Sequence, residues 1–228
     1  MSGDSGASGR TGEPAASTER AASTERAAST ELAASTELAA STALAARLAT
    51  RVQRRFARAG GWPSVVFIDG RSGSGKTTLA EAVAEQLVGA GCARPQIVGM
   101  DELYPGWRGL AAGSASVAGM LRTGRYRRYD WYAKHFTPEV MLDREAPIIV
   151  EGCGSLSAAS FAAARELGPA YAVWVECPTA LRRQRAIARD GETFLPHWDA
   201  WATQEETHFG AAQPLARVHE VVHVGERT

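Results

Sequence analysis

The sequence predicts an α/β fold of three layers, a mostly parallel five-stranded sheet flanked by helices. Three observations predict it. The run Ser-Val-Val-Phe-Ile-Asp-Gly at 64–70 is short, apolar and β-branched, and it feeds a glycine-rich loop that opens into a helical pattern. Further apolar runs at 97–100, 147–150 and 170–176, and Val-His-Glu-Val-Val-His-Val near the end, are as continuous as strands buried on both faces require. Helical stretches lie between them, such as the one with Leu79, Val83 and Leu87 on one side.

The chain has 228 residues, 45% hydrophobic and 22% charged, enough for one domain with a sizeable core. Formal net charge is zero, so no nucleic-acid partner is expected on global charge. Cys92, Cys153 and Cys177 are scattered and lack metal-ligand spacing, as in a reduced protein. No stretch reaches the roughly 18 apolar residues of a membrane span, and no signal peptide precedes the domain, so a cytoplasmic location and no membrane partner are expected. Of 25 basic residues only Lys76 and Lys134 are lysine. Where arginine is the default cation, a lysine hints at a local need for a compact ammonium.

Residues 1–43 read as a disordered, low-complexity tail, and 44–228 as the domain. The tail repeats Ala-Ala-Ser-Thr-Glu-Arg and its variants with a period of six, which places Leu32, Leu38 and Leu44 on three different sides of a helix. The pattern then changes. Leu44, Leu48, Val52 and Phe56 recur every four residues with arginines between them, an amphipathic helix expected to end at Ala59-Gly60-Gly61 and to pack on the domain.

Gly70-Arg71-Ser72-Gly73-Ser74-Gly75-Lys76-Thr77 fits G-x-x-x-x-G-K-[ST], the Walker A pattern or P-loop. Glycines let the backbone wrap a phosphate with its N–H groups inward, and the helix that follows adds the positive end of its dipole. Lys76 is expected on the β- and γ-phosphates of ATP and Thr77 on Mg²⁺; Gly70, Ser72, Gly73, Ser74, Gly75 and Thr78 complete the nucleotide-binding set. No Asn-Lys-x-Asp follows, which argues against a GTPase. The fold class expected is therefore a three-layer P-loop NTPase.

Three stretches bear on the phosphate acceptor. Asp101 stands at the carboxyl end of the second strand, where a carboxylate can take a hydroxyl proton as that hydroxyl attacks the γ-phosphate; capping a turn is its competing role. Glu151 ends the third strand, the Walker B position for Mg²⁺. Arg182, Arg185 and Arg189 share one helix face, placed either to neutralise the transferring phosphoryl group or to meet solvent. In Leu-Arg-Thr-Gly-Arg-Tyr-Arg-Arg-Tyr-Asp-Trp-Tyr, Arg125 and Arg128 among tyrosines suit a small anionic or aromatic acceptor, with single-stranded nucleic acid the competing reading.

In this order, GRSGSGKTT, MDELY, RYRRYDW, IVEG and the arginine helix ending in RD resemble the uridine kinase-like branch of P-loop kinases over residues 62–195. The resemblance implies that Asp101 is the general base and that Tyr104 contacts the acceptor. It implies that Asp130 binds acceptor hydroxyls, that Glu151 serves Mg²⁺, and that Arg182, Arg185 and Arg189 meet phosphates. The chain departs from the branch where a nucleoside-binding FDHP-like stretch is replaced by RYDWYAKHF, and again at LPHWDAWATQEETHF. The expectation is an ATP- and Mg²⁺-dependent phosphotransferase acting on a hydroxyl of a small, nucleoside-like acceptor. The alternatives are a nucleoside monophosphate, sugar or antibiotic kinase, or a non-catalytic ATP sensor.

Overall fold

Strand β1 (Val65–Gly70) is buried along its whole length, and its alternation divides the molecule into layers. Val65 and Phe67 belong to one apolar core, Val66 and Ile68 to the other. The computed structural model describes residues 42–54 and 64–225. The expected disorder of residues 1–41, and Phe56 with the glycine stop of the first helix, lie outside them.

Helix α1 (residues 42–54) lays Ala45, Leu48, Ala49 and Val52 into the second core, as its four-residue period predicts. Arg51 ties it to Glu220 by an ion pair. Helix α2 (Lys76–Gly89) packs Leu79, Val83 and Leu87 into the same core. Opposite them, α3 (Leu110–Thr123), α4 (Ala158–Leu167) and α6 (Trp198–Ala212) fill the first core with Val117, Leu121, Ala163, Trp201 and Phe209. Burying a side chain such as Phe67 contributes about 1.5–3 kcal/mol.

The sheet runs β2-β5-β1-β6-β7, with β2 (Gln96–Gly99), β5 (Ile148–Glu151), β6 (Ala170–Glu176) and β7 (Glu220–His223). Every neighbouring pair in it is parallel. Glu151 is level with Ile68 on one side and Gly99 on the other, so the carboxyl ends of β1, β5 and β2 meet at one edge. That edge is where an open α/β sheet binds its ligands. Helix α5 (Thr179–Asp190) follows β6 and leads through two short 3₁₀ turns into α6.

One element departs from the expectation. The stretch read as an acceptor wall forms strand β3 (Arg125–Asp130), paired antiparallel with β4 (His135–Met141) in a separate two-stranded ribbon. Tyr126 is its buried member between exposed arginines, and the pairing register shifts between Arg127 and Tyr129.

Candidate active site

The loop between β1 and α2 is built as a cradle. Gly73 and Gly75 take φ of 76° and 89°, values that only glycine adopts without strain. A Cβ on Gly73 would also lie 2.1 Å from the carbonyl oxygen of Arg182, so α5 presses on the loop at this point. The first amides of α2 have no intrahelical acceptor. The helix's own first turn carries no acid and no side chain caps it, which suits an anion at that terminus. Gly70 ends β1, Ser74 is fully buried, and Ser72 and Thr78 flank the loop and the first helical turn.

Lys76 is buried, with Nζ 2.8 Å from the carbonyl of Arg71 and 3.5 Å from Ser74 Oγ. Burial works against its charge, but Cys153, Glu151, Glu205 and Asp69 outweigh it and hold its pKa above the ordinary lysine value. The ammonium is therefore present at neutral pH, as a phosphate ligand must be.

Thr77 Oγ1 donates to Glu151 Oε1 at 3.0 Å, so the hydroxyl and the carboxylate expected to share a metal are adjacent. Burial raises the Glu151 carboxyl; Lys76 pulls it down and Asp101 pushes it up again. A hydroxyl beside two mutually repelling carboxylates is a hard-oxygen donor set that suits Mg²⁺, whose remaining ligands are water and substrate phosphate. Among the described residues no cluster of three or more His, Cys, Asp or Glu is placed to hold a metal by itself.

Asp101 lies in the 3₁₀ turn Met100–Glu102 at the end of β2. It is exposed on one side, yet the protein enclosing its other sides raises its carboxyl pKa, against the pull of Arg189 and Lys76. Its backbone carbonyl is held by Trp131 Nε1 at 2.8 Å. The next residue, Glu102, accepts Tyr126 Oη at 3.0 Å and Arg128 Nε at 2.9 Å. The ribbon thus fixes the turn that carries the carboxylate. Lys76, Asp101, Glu151 and Arg189 act on one another electrostatically and form one site.

The three arginines of α5 divide. Arg189 is paired with Asp190 at 2.7 Å and feels Asp101 and Glu151. Arg182 is buried and turned toward the loop's backbone; it donates to the carbonyls of Ser72 at 3.0 Å and Cys177 at 3.2 Å and to Thr179 Oγ1 at 3.2 Å. Its nitrogens serve the protein, so the expected phosphate contact gives way to a structural one. Arg185 lies between, with NH1 3.5 Å from Cys177 Sγ.

The acceptor residues implied by the resemblance are also employed internally. Tyr104 is 1% exposed, donates its hydroxyl to the Cys153 carbonyl at 2.6 Å and packs edge-on against Trp201 at 4.9 Å. Asp130 Oδ1 accepts the N–H groups of Tyr132 and Ala133 at 2.9 and 2.7 Å and closes the turn of the ribbon. Arg125 faces Glu139 across the ribbon at 3.8 Å, away from Asp101, whereas Arg128 reaches Glu102 beside it. Side-chain direction, set by strand pairing, decides each case.

Two further acids border the loop. Asp69, fully buried at the end of β1, accepts the N–H groups of Gly70, Gly154 and Leu156 at 2.7, 2.9 and 2.8 Å. Burial pushes its carboxyl up to about 7, against these donors and Lys76. Glu205 is 1% exposed on α6 and accepts the Ser72 N–H at 2.6 Å. An acid inside an apolar strand, and another four residues after Trp201 on a buried helix face, were the available signals. Trp198 and Trp201 themselves are core, and His197 stacks on Trp107 at 4.3 Å.

No protein-family model matches the chain, and no curated protein matches it. Solved structures do resemble it. One, provisionally described as a fructose transport system kinase from Silicibacter sp. TM1040, shares 21% identity over 78% of this chain and 98% of its own, with a TM-score of 0.51. Another, provisionally described as a uridine kinase from Bacillus stearothermophilus, shares 21% identity over 69% of this chain and 86% of its own, with a TM-score of 0.44. A gluconokinase from Sinorhizobium meliloti 1021 shares 20% over 72% and 85%, with a TM-score of 0.39. No described helix is long and apolar enough to cross a membrane. With a parallel sheet of this order and a glycine-rich loop between β1 and α2, the chain has a three-layer α/β P-loop fold, shared with the first of these structures.

Proposed function

We propose that the chain transfers the γ-phosphate of ATP, with Mg²⁺, to a hydroxyl of a small molecule. One observation carries the reading: Thr77 and Glu151 adjoin at 3.0 Å beside a buried, charged Lys76, with Asp101 in electrostatic reach of Lys76 and Glu151. The fold, shared with a protein described as a kinase, supports it. Thr77 and Glu151 would hold Mg²⁺, which when bound offsets phosphate charge.

The loop amides and Lys76 bind and orient the β- and γ-phosphates. Asp101 takes the proton of the acceptor hydroxyl as its oxygen bonds to the γ-phosphorus. The bond from that phosphorus to the β–γ bridging oxygen breaks, and ADP leaves. Arg189 offsets charge on the moving group.

Nucleoside-like acceptors remain the first class to test, but without Tyr104 and Asp130 as the residues that grip them. The test is ADP release by the purified chain across nucleosides, nucleoside monophosphates, sugars, vitamins and aminoglycosides. Release that depends on one acceptor class and disappears in Lys76→Ala is expected. ATP binding with no acceptor response would favour the sensor alternative instead.

A further inference from the structure

Glu205 is separated from the loop by most of the domain in sequence, yet one of its oxygens takes three donors. Oε1 accepts the Ser72 N–H at 2.6 Å, Trp201 Nε1 at 3.1 Å and Cys153 Sγ at 3.2 Å. Oε2 faces Arg71 and Arg182, each at 3.8 Å. Arg182, equally buried, donates to the Ser72 carbonyl at 3.0 Å. One buried ion pair therefore brackets a single residue: the carboxylate holds its N–H and the guanidinium its C=O.

The arrangement has a physical purpose. A phosphate cradle needs the loop's carbonyls turned outward so that the N–H groups after them turn inward. Here the carbonyl of Ser72 is tied to Arg182 at 3.0 Å. Gly73, the next residue, rests on the backbone of Arg182. A loop of glycine and serine has little stiffness of its own, so its shape must be imposed by its supports. Stability is a poor reason to keep such a pair, because well-packed apolar replacements of buried ion pairs are often neutral or stabilising.

We propose that Glu205, through its pair with Arg182, is a positioning residue for the phosphate-binding loop. It touches no phosphate. It fixes the peptide groups of Ser72 so that the amides from Gly73 onward stand ready for a polyphosphate. The carboxylate does not stand in for a phosphate in the cradle, because the amide it takes precedes the glycine turn and Trp201 and Cys153 hold it from the side. The proposal rests on reading this loop as a nucleotide-phosphate site.

The test uses the full chain and the double variant Glu205→Met with Arg182→Met, with Glu205→Gln as a second, isosteric variant. Circular dichroism and thermal melting establish folding, and calorimetric titration measures MgATP, MgADP and adenosine. For the double variant, MgATP and MgADP affinities are expected to fall together by about tenfold or more, with adenosine affinity unchanged. For Glu205→Gln the same pattern is expected with a loss of about threefold to tenfold. A merely structural role would weaken all three ligands alike or shift only the melting temperature. Wild-type MgATP affinity in either folded variant overturns the proposal. Failure of the wild-type chain itself to bind MgATP would instead overturn the reading of the loop.

Discussion

The proposed phosphate side and the proposed acceptor side of this site are built in opposite ways. The phosphate side is one contiguous stretch, Gly70 to Thr77, whose working groups are backbone amides at a helix start. The acceptor side is assembled from the turn after β2, the β3–β4 ribbon and the α5–α6 connection, and most of its polar side chains are already bonded to the protein. Asp101 is exposed there. A cradle made of backbone depends on conformation, which local residue types set. A wall made of side chains depends on direction, which distant packing sets.

The sharpest way to break this contrast is at Asp101, the carboxylate expected to act as base. Asp101→Asn is expected to lower turnover by about 10²–10⁴ while leaving ATP affinity unchanged. Unchanged turnover would remove Asp101 as the base and leave the acceptor side without one. The pH dependence has a definite sign. Burial raises this carboxyl, a protonated carboxyl cannot accept the hydroxyl proton, and so turnover falls on the acid side at a pH above the ordinary aspartate range. A pH–rate profile flat down to the ordinary range would contradict that burial.

Gly73→Ala probes the phosphate side. The residue would enter positive φ and meet the backbone of α5, which cannot retreat as a side-chain tip can. The strain alone is of order 1–3 kcal/mol. A fall of about tenfold or more in MgATP affinity is expected by titration. Retained affinity would mean that the cradle tolerates a different loop path and that conformation does not govern this side.

The smallest effect separates structure from substrate. Tyr104→Phe leaves the buried Cys153 carbonyl without its hydroxyl donor and is expected to cost about 1–3 kcal/mol in chemical denaturation. The KM for the acceptor should not change. A raised KM with full stability would return Tyr104 to the acceptor wall.

Much of this was legible beforehand for a physical reason. The inner strands β1, β5 and β6 are apolar runs, and a strand buried on both faces has no other way to look; the edge strands β2 and β7 are shorter and partly exposed. Lys76, Thr77 and Glu151 were legible because their positions follow from a motif and a strand end. Arg182, Tyr104 and Asp130 were not. Nothing local in an arginine on a helix face states whether it will meet phosphate or the carbonyl of Ser72, and the ribbon that employs Asp130 showed only as alternating arginine and tyrosine.

The sequence by itself determined the layered α/β architecture, the phosphate cradle and the acids at the strand ends, because periodicity, glycine content and strand termini are properties of neighbouring residues. Only the tertiary structure decided that Arg182 supports the loop, that Tyr104 belongs to the core, and that Glu205 on α6 reaches Ser72. Those assignments depend on which groups from remote parts of the chain arrive within hydrogen-bonding distance. Burial then enforces the pairing, since a polar group cut off from water must find its partner inside the fold.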